Sequence, residues 1–176
     1  MKKIIFLLIV IFVAIPCFAL EIDSEVLDNG GYIPDRYTCD DKDYSPPIGW
    51  SDIPDNAKSL VLICDDTDAE FKIWVHWILF NIPVDVSNLD ENATDEQLKK
   101  LSIVQGINDF GRLGYKGPCP SPGKTHKYFF KLYALDATLS LEEGVGEKEV
   151  LEAMQGHILA EAKIVGFYQK VNQKTE

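Results

Sequence analysis

Two short apolar runs constrain this chain most: residues 59–64, Ser-Leu-Val-Leu-Ile-Cys, and residues 74–80, Trp-Val-His-Trp-Ile-Leu-Phe. Both are rich in branched or aromatic side chains and are bounded by polar residues, which marks them as buried strands. Residues 128–135 form a third such run, with Lys127 and Lys131 on one face, and residues 162–168 a fourth. Helical signals are fewer. Thr94 can cap a helix over 95–101, with Asp95 and Glu96 at its favourable N-terminal end and lysines near the other. Residues 146–155 carry Val150, Leu151 and Met154 on one stripe, and Gly156 stops them. Long loops span 40–58 and 106–124. The pattern predicts a β-rich domain with two modest helices, in which the long loops build the functional site. No internal repeat, low-complexity tract or linker divides the chain.

The N-terminus is of another kind. Lys2 and Lys3 precede an unbroken apolar run from Ile4 to Ala14, Pro16 interrupts it, and Cys17-Phe18-Ala19 ends in a small residue. A basic start, a short apolar core and a small-residue exit make a secretory signal, with cleavage expected after Ala19. A membrane anchor needs about 20 apolar residues, more than this segment supplies, and Pro16 directly before Cys17 suits a lipoprotein start poorly. The expected products are a signal peptide over 1–19 and a single domain over 20–176, periplasmic or secreted. That domain has 157 residues, enough chain to bury a substantial core.

Losing Lys2 and Lys3 with the leader takes the formal charge from −11 to −13. So acidic a protein is repelled by nucleic-acid backbones and anionic membrane faces, which sets nucleic acid aside as a partner. No second apolar run is long enough to span a bilayer, so the domain is not expected to be an integral membrane protein. Cys39, Cys64 and Cys119 survive cleavage, and no CxxC pair occurs among them. Three is odd, so at least one thiol stays free or pairs with another chain. Cys64, inside an apolar run, reads as a small buried hydrophobe.

The segment 117–125, Gly-Pro-Cys-Pro-Ser-Pro-Gly-Lys-Thr, looks like a phosphate-binding loop but cannot be one. It has five residues between its glycines where four are required. Its three prolines remove backbone N–H groups that would have to converge on phosphate. A rigid, proline-braced wall is the better reading. No GxSxG elbow, HExxH pair or cofactor-binding motif occurs, so the chain reads as non-enzymatic. Three histidines are present. His157 follows Gly156 and is expected to cap a helix end. By the period-two rule His76 shares a face with Trp74, Ile78 and Phe80, and His126 shares one with Tyr128, Phe130 and Leu132. Each histidine then stands at the outer end of an apolar face, where a polar group guards the mouth of a cavity; either one taken alone is better read as a satisfied, half-buried core histidine. Asp65, Asp66 and Asp68 close the first strand, as a solvated turn or as a carboxylate that orients a histidine. Asp66 or Asp68 with His76 and His126 could also hold zinc, though no metal-ligand spacing is present.

Taken in order, Asp66-Thr67-Asp68-Ala69, Trp74-Val75-His76-Trp77 and Gly117-Pro118-Cys119-Pro120, followed by Gly123, His126 and Tyr128, resemble the phosphatidylethanolamine-binding protein family, and most nearly its bacterial Raf-kinase-inhibitor-like branch. Tyr37-Thr38-Cys39-Asp40, Ser45-Pro46-Pro47 with Trp50, Leu132-Tyr133-Ala134-Leu135-Asp136, Gly156-His157 and Gly166-Phe167-Tyr168-Gln169 extend the likeness over about residues 32–169. The resemblance implies a mostly β, two-sheet fold with a few short peripheral helices and a small pocket for phosphate-like anions, including lipid headgroups. Carried over by motif, Asp66, Trp74, His76, Gly117, Pro120, His126 and Tyr128 would line that pocket, and Asp68 would brace its loop. An aspartate neighbour would hold a histidine charged. The expected partner is a small anionic ligand, and a protein partner, such as an exported protease inhibited by the surrounding loops, is the alternative. An enzyme, either a hydrolase with His76 or His126 as base or a metal-dependent one, is a third reading. The chain departs from the family pattern at Thr67 and Glu70, where prolines stand, and Glu70 near the pocket would oppose a second negative charge. It is also expected to lack the extra C-terminal helix of animal members. Cys39 and Cys119 flank the implied pocket segments; the resemblance does not require a bond between them, and one is feasible if their Cα atoms lie within about 7 Å.

Overall fold

The computed structural model describes residues 19–170, so the expected 1–19 leader lies outside the described residues except for Ala19. Strand β4 (Ser59–Asp66) is buried on both faces throughout, which is why its sequence is continuously apolar rather than alternating. It lies between β5 (Trp74–Ile82) and β8 (Thr125–Leu135), antiparallel to both. Strand β9 (Ile158–Gln169) pairs with β8 along its length. Two short strands, β2 (Gly31–Tyr32) and β7 (Val104–Gln105), finish the edges and give the order β2-β9-β8-β4-β5-β7. A second sheet, β1 (Glu21–Asp23), β3 (Ile48–Ser51) and β6 (Asn88–Leu89), packs over one face. Four strands stand where the apolar runs predict them, each extended by a few residues.

The larger core fills the space between the sheets. Leu60, Leu62, Cys64, Trp77, Leu79, Phe130 and Leu132 meet Ile48, Trp50 and Leu89 there. The opposite face buries Val61, Ile63, Ile78 and Phe80 under Val150 and Met154 of α2 (Glu147–Met154). Leu151, expected on the same stripe, points away and is exposed, so the buried stripe is the i, i+4 pair alone. Helix α1 (Asp95–Lys100) starts at Thr94 with a full capping box: the Thr94 hydroxyl accepts from the Gln97 N–H, and the Gln97 side chain accepts from the Thr94 N–H.

One correction bears on the site. Cys64 faces Trp77 while Asp65 faces Val75, so β5 has one residue more than β4 at that point, and His76 is the extra residue of a β-bulge. A bulge resets the alternation. Ile78 and Phe80 lie under α2, whereas Trp74 and His76 fall on the side of Trp77, Asp66 and Tyr128. The expected shared face of Trp74, His76, Ile78 and Phe80 does not exist. On β8 no such break intervenes, and His126, Tyr128, Phe130 and Leu132 do share a face.

Candidate functional site

The C-terminal end of β4 lies beside the N-terminal ends of β5 and β8, with Asp66 opposite both Trp74 and Tyr128. At this corner lies a hollow of about 270 Å³. Asp66, Trp74, His76, Pro120, His126 and Tyr128 line it, joined by Glu70, Phe71 and Phe110. Six of the eight residues carried over by motif therefore meet in one place. Gly117 and Asp68 stand behind the wall.

Asp66 is held from two sides. Its Oδ1 accepts the Asp68 N–H at 2.8 Å, and its Oδ2 lies 2.7 Å from His126 Nδ1. Both side chains are buried, and the imidazole's second nitrogen is left to the hollow. Asp68 braces the turn as expected, its carboxylate accepting the Lys127 N–H at 3.0 Å. The three neighbouring acids thus do different work. Asp65 is not part of a solvated turn: it is 1 % exposed, points to the opposite face and pairs with Lys131.

His76, 2 % exposed, is fixed through Lys116. Its Nδ1 donates to the Lys116 carbonyl, while its own carbonyl accepts the Lys116 N–H at 3.1 Å. Phe110 and Tyr128 meet the ring edge-on at 5.2 and 5.3 Å. Burial among these groups pushes the His76 pKa down, outweighing the upward pull of the Lys116 carbonyl and of Asp66, Asp43 and Asp109. The expected aspartate neighbour belongs to His126, and among the described residues no carboxylate hydrogen-bonds to this ring. Tyr128 is wholly buried, and its hydroxyl has no partner in hydrogen-bond geometry. Burial first, then the charge of Asp66 and an approach of the hydroxyl to its carboxylate that falls short of hydrogen-bond geometry, raise its pKa far above the phenol range, so it remains a proton donor.

The walls are set by side-chain ties that periodicity cannot reveal. Buried Asn108 gathers the 108–114 turn, donating to the Gly114 carbonyl at 2.9 Å and accepting from the Phe110 and Arg112 N–H groups. Asp109 accepts the Val75 N–H at 2.7 Å and pairs with Lys72 at 2.5 Å. Together they seat Phe110 against Trp74 at 5.5 Å. On the other side, Asp43 accepts the Gly117 N–H at 2.7 Å and pairs with Lys116. A Cβ on Gly117 would come 2.3 Å from the Tyr37 carbonyl oxygen, so glycine is needed for this close approach. Cys39 and Cys119 form a disulfide with their Cα atoms 5.4 Å apart, tying the same two segments, and among the described residues Cys64 is the free, buried thiol. Glu70, at the rim, pairs with Lys124, which lowers its pKa and offsets its charge.

Sequence reasoning missed Phe110 and Phe71 as lining residues, while Glu70, expected near the pocket, does stand at its rim. A lone Phe110 amid polar residues of a long loop was the available signal. His157 donates its N–H to the Met154 carbonyl as a helix-end cap, and its ring also reaches Asp136 at 2.7 Å. Among the described residues, no three His, Cys, Asp or Glu side chains are placed to hold a metal ion, and no helix is long and apolar enough to cross a membrane.

A two-sheet β protein with an acid–histidine hollow at one corner is what the fold and site define. The sequence profile of the phosphatidylethanolamine-binding protein family matches residues 23–169, and the chain belongs to this family, in its bacterial branch. A UPF0098 protein of Methanothermobacter thermautotrophicus is 51 % identical over 151 residues, covering 86 % of this chain and 99 % of that one. A phosphatidylethanolamine-binding protein homologue of Chlamydia trachomatis superposes with a TM-score of 0.80 at 43 % identity, over 88 % of this chain and 99 % of its own. Escherichia coli YbcL, described as a member of the mammalian family, does so with 0.79 at 29 % identity, over 85 % and 98 %.

Proposed function

We propose that this chain is an exported, non-enzymatic binding protein whose corner hollow takes a small oxyanion, a phosphate or a group like a phospholipid headgroup. The observation that carries the reading is the buried Tyr128 hydroxyl, which lacks a partner in the same hollow as His76 and the Asp66–His126 pair. A buried hydroxyl without a partner costs about 1–3 kcal/mol, a cost that a ligand oxygen offsets. Trp74, Phe110 and Pro120 add apolar walls for a small substituent on the anion. Export is supported by the leader pattern of residues 1–19, and by a Cys39–Cys119 disulfide of the kind that persists in oxidising compartments. Thermal unfolding with phosphate, acetate and phosphoethanolamine tests the reading. Each bound anion should raise the midpoint of the wild type, because it binds only the folded state, and should leave that of Tyr128→Phe less changed. Unshifted midpoints for all three anions at tens of millimolar refute it.

A second reading, hydrolysis, has one observation in its favour. The Asp66–His126 pair orients an imidazole with a free nitrogen, the arrangement a general base uses. It requires turnover of an ester that His126→Ala abolishes.

A further inference from the structure

The hydrogen-bond polarity of the hollow says more about its ligand than its shape does. A carbonyl oxygen can only accept, so the contact with Lys116 fixes the proton of His76 on Nδ1 in either charge state of the ring. In the neutral ring, Nε2 is therefore a bare acceptor, and among the described residues it has no protein partner. An anion approaching a bare nitrogen meets lone pair against lone pair. Either the ring or the ligand must bring a proton.

The charged groups around His76 are already engaged. Asp66, from β4, accepts from His126 and the Asp68 N–H. Asp43, from the loop before β3, holds Lys116, the Gly117 N–H and, at 3.8 Å, Arg112. Asp109, from the loop before β8, holds Lys72 and the Val75 N–H. Tyr128 and Phe110 present ring edges, and His126 and Glu70 share the hollow. No carboxylate reaches the imidazole at hydrogen-bond distance. An anion taken into the hollow is thus the first counter-charge in hydrogen-bond contact with His76, beyond the more distant pull of Asp66, Asp43 and Asp109, and the Tyr128 hydroxyl stands ready to donate to it.

We infer that the hollow binds an oxyanion only together with one proton, held between His76 Nε2 and a ligand oxygen. This rests on the anion-binding reading above and specifies the ligand that reading leaves open: an oxyacid in its singly protonated form, or a fully ionised anion that draws a proton onto His76. Burial of the ring, which lowers its proton affinity without a ligand, makes the coupling steep at neutral pH. The Asp66 contact fixes the orientation of His126, whose ring also lines the hollow and faces the anion. The proton-linked step belongs to His76.

Acetate and dimethyl phosphate are suitable probes, because neither gains a proton above about pH 6. Calorimetric titration between pH 6.5 and 8.5 should show affinity falling about tenfold per pH unit, with one proton taken up per anion, read from buffers of different ionisation enthalpy. His76→Gln places an amide donor near the Nε2 position, so it should retain binding and flatten the slope to less than twofold per unit; His126→Gln should keep the slope. Nitrogen NMR of the wild type gives an independent reading: His76 Nε2 should move from the bare to the protonated range on adding acetate at pH 7.5. A flat wild-type slope with intact binding, or a slope that survives His76→Gln, overturns the inference and leaves the anion site standing. Absence of binding of either probe at every pH overturns both.

Discussion

Replacing Tyr128 by phenylalanine removes one oxygen and should move stability and binding in opposite directions. The side chain is wholly buried, and its hydroxyl finds no partner in hydrogen-bond geometry. Protein mutational data put the cost of such a buried hydroxyl at about 1–3 kcal/mol. The ring packs against His76 and within the inter-sheet core, contacts that phenylalanine preserves. Tyr128→Phe should therefore stabilise the protein by up to that amount. For a domain of this size, about 2–4 °C per kcal/mol converts it to a rise of roughly 2–12 °C in melting temperature. A hydrogen bond from a neutral donor to a charged acceptor contributes about 1.5–3 kcal/mol, so the same change should weaken phosphate binding roughly 10- to 150-fold. Differential scanning calorimetry and calorimetric titration on the same preparations read both effects. A variant that melts lower than wild type, or that binds phosphate equally well, refutes the assignment of this hydroxyl as a ligand donor.

Three further outcomes follow from the walls and from titration. Gly117→Ala must push a Cβ toward the Tyr37 carbonyl at 2.3 Å and the Thr38 Cα at 2.8 Å; it should destabilise by a few kcal/mol in urea unfolding, as overpacking against backbone does, and an unchanged midpoint contradicts the close approach. The 20–176 product, denatured and unreduced, should titrate one thiol, Cys64, and reduction of Cys39–Cys119, which closes a separation of 80 residues, should cost about 2–4 kcal/mol; three thiols contradict the bond. The pKa of His76 lies below its unfolded value of about 6.5, so its contribution to stability is full above that pH and is lost as the pH falls below it. Between pH 7.5 and 5.0 the wild type should lose more stability than His76→Gln. Asp65 and Glu147, whose pKa values burial raises, act in the opposite sense at lower pH and cancel in this comparison; equal losses in the two proteins contradict the buried neutral ring.

The strands that carry the site could be read from the chain because burial on both faces leaves a continuous apolar signature, as in Leu60-Val61-Leu62-Ile63. The direction of His76 could not. The period-two rule holds only while each strand advances one residue per pair, and the extra residue opposite Cys64 and Asp65 turns His76 away from Ile78. Phe110 escaped for a related reason: side-chain bonds from Asn108 and Asp109 set its place, and these follow no repeat. Strands of two residues, such as β2 against β9, are too short to leave a pattern. The Cys39–Cys119 bond depended on a distance between loops 80 residues apart, which cysteine counting does not supply. Motif order was the stronger guide, because Asp66, Trp74, His76, Pro120, His126 and Tyr128 come from three strands and one loop and still converge.

The claim that this hollow is an oxyanion site is tested most directly by calorimetric titration of phosphate, acetate and phosphoethanolamine into the wild type, His76→Ala and His126→Ala at pH 6.5. The account predicts modest wild-type affinity, since a small ligand makes few contacts against the cost of its lost freedom, and binding weakened at least tenfold in both variants. Wild-type affinity in both variants would contradict it.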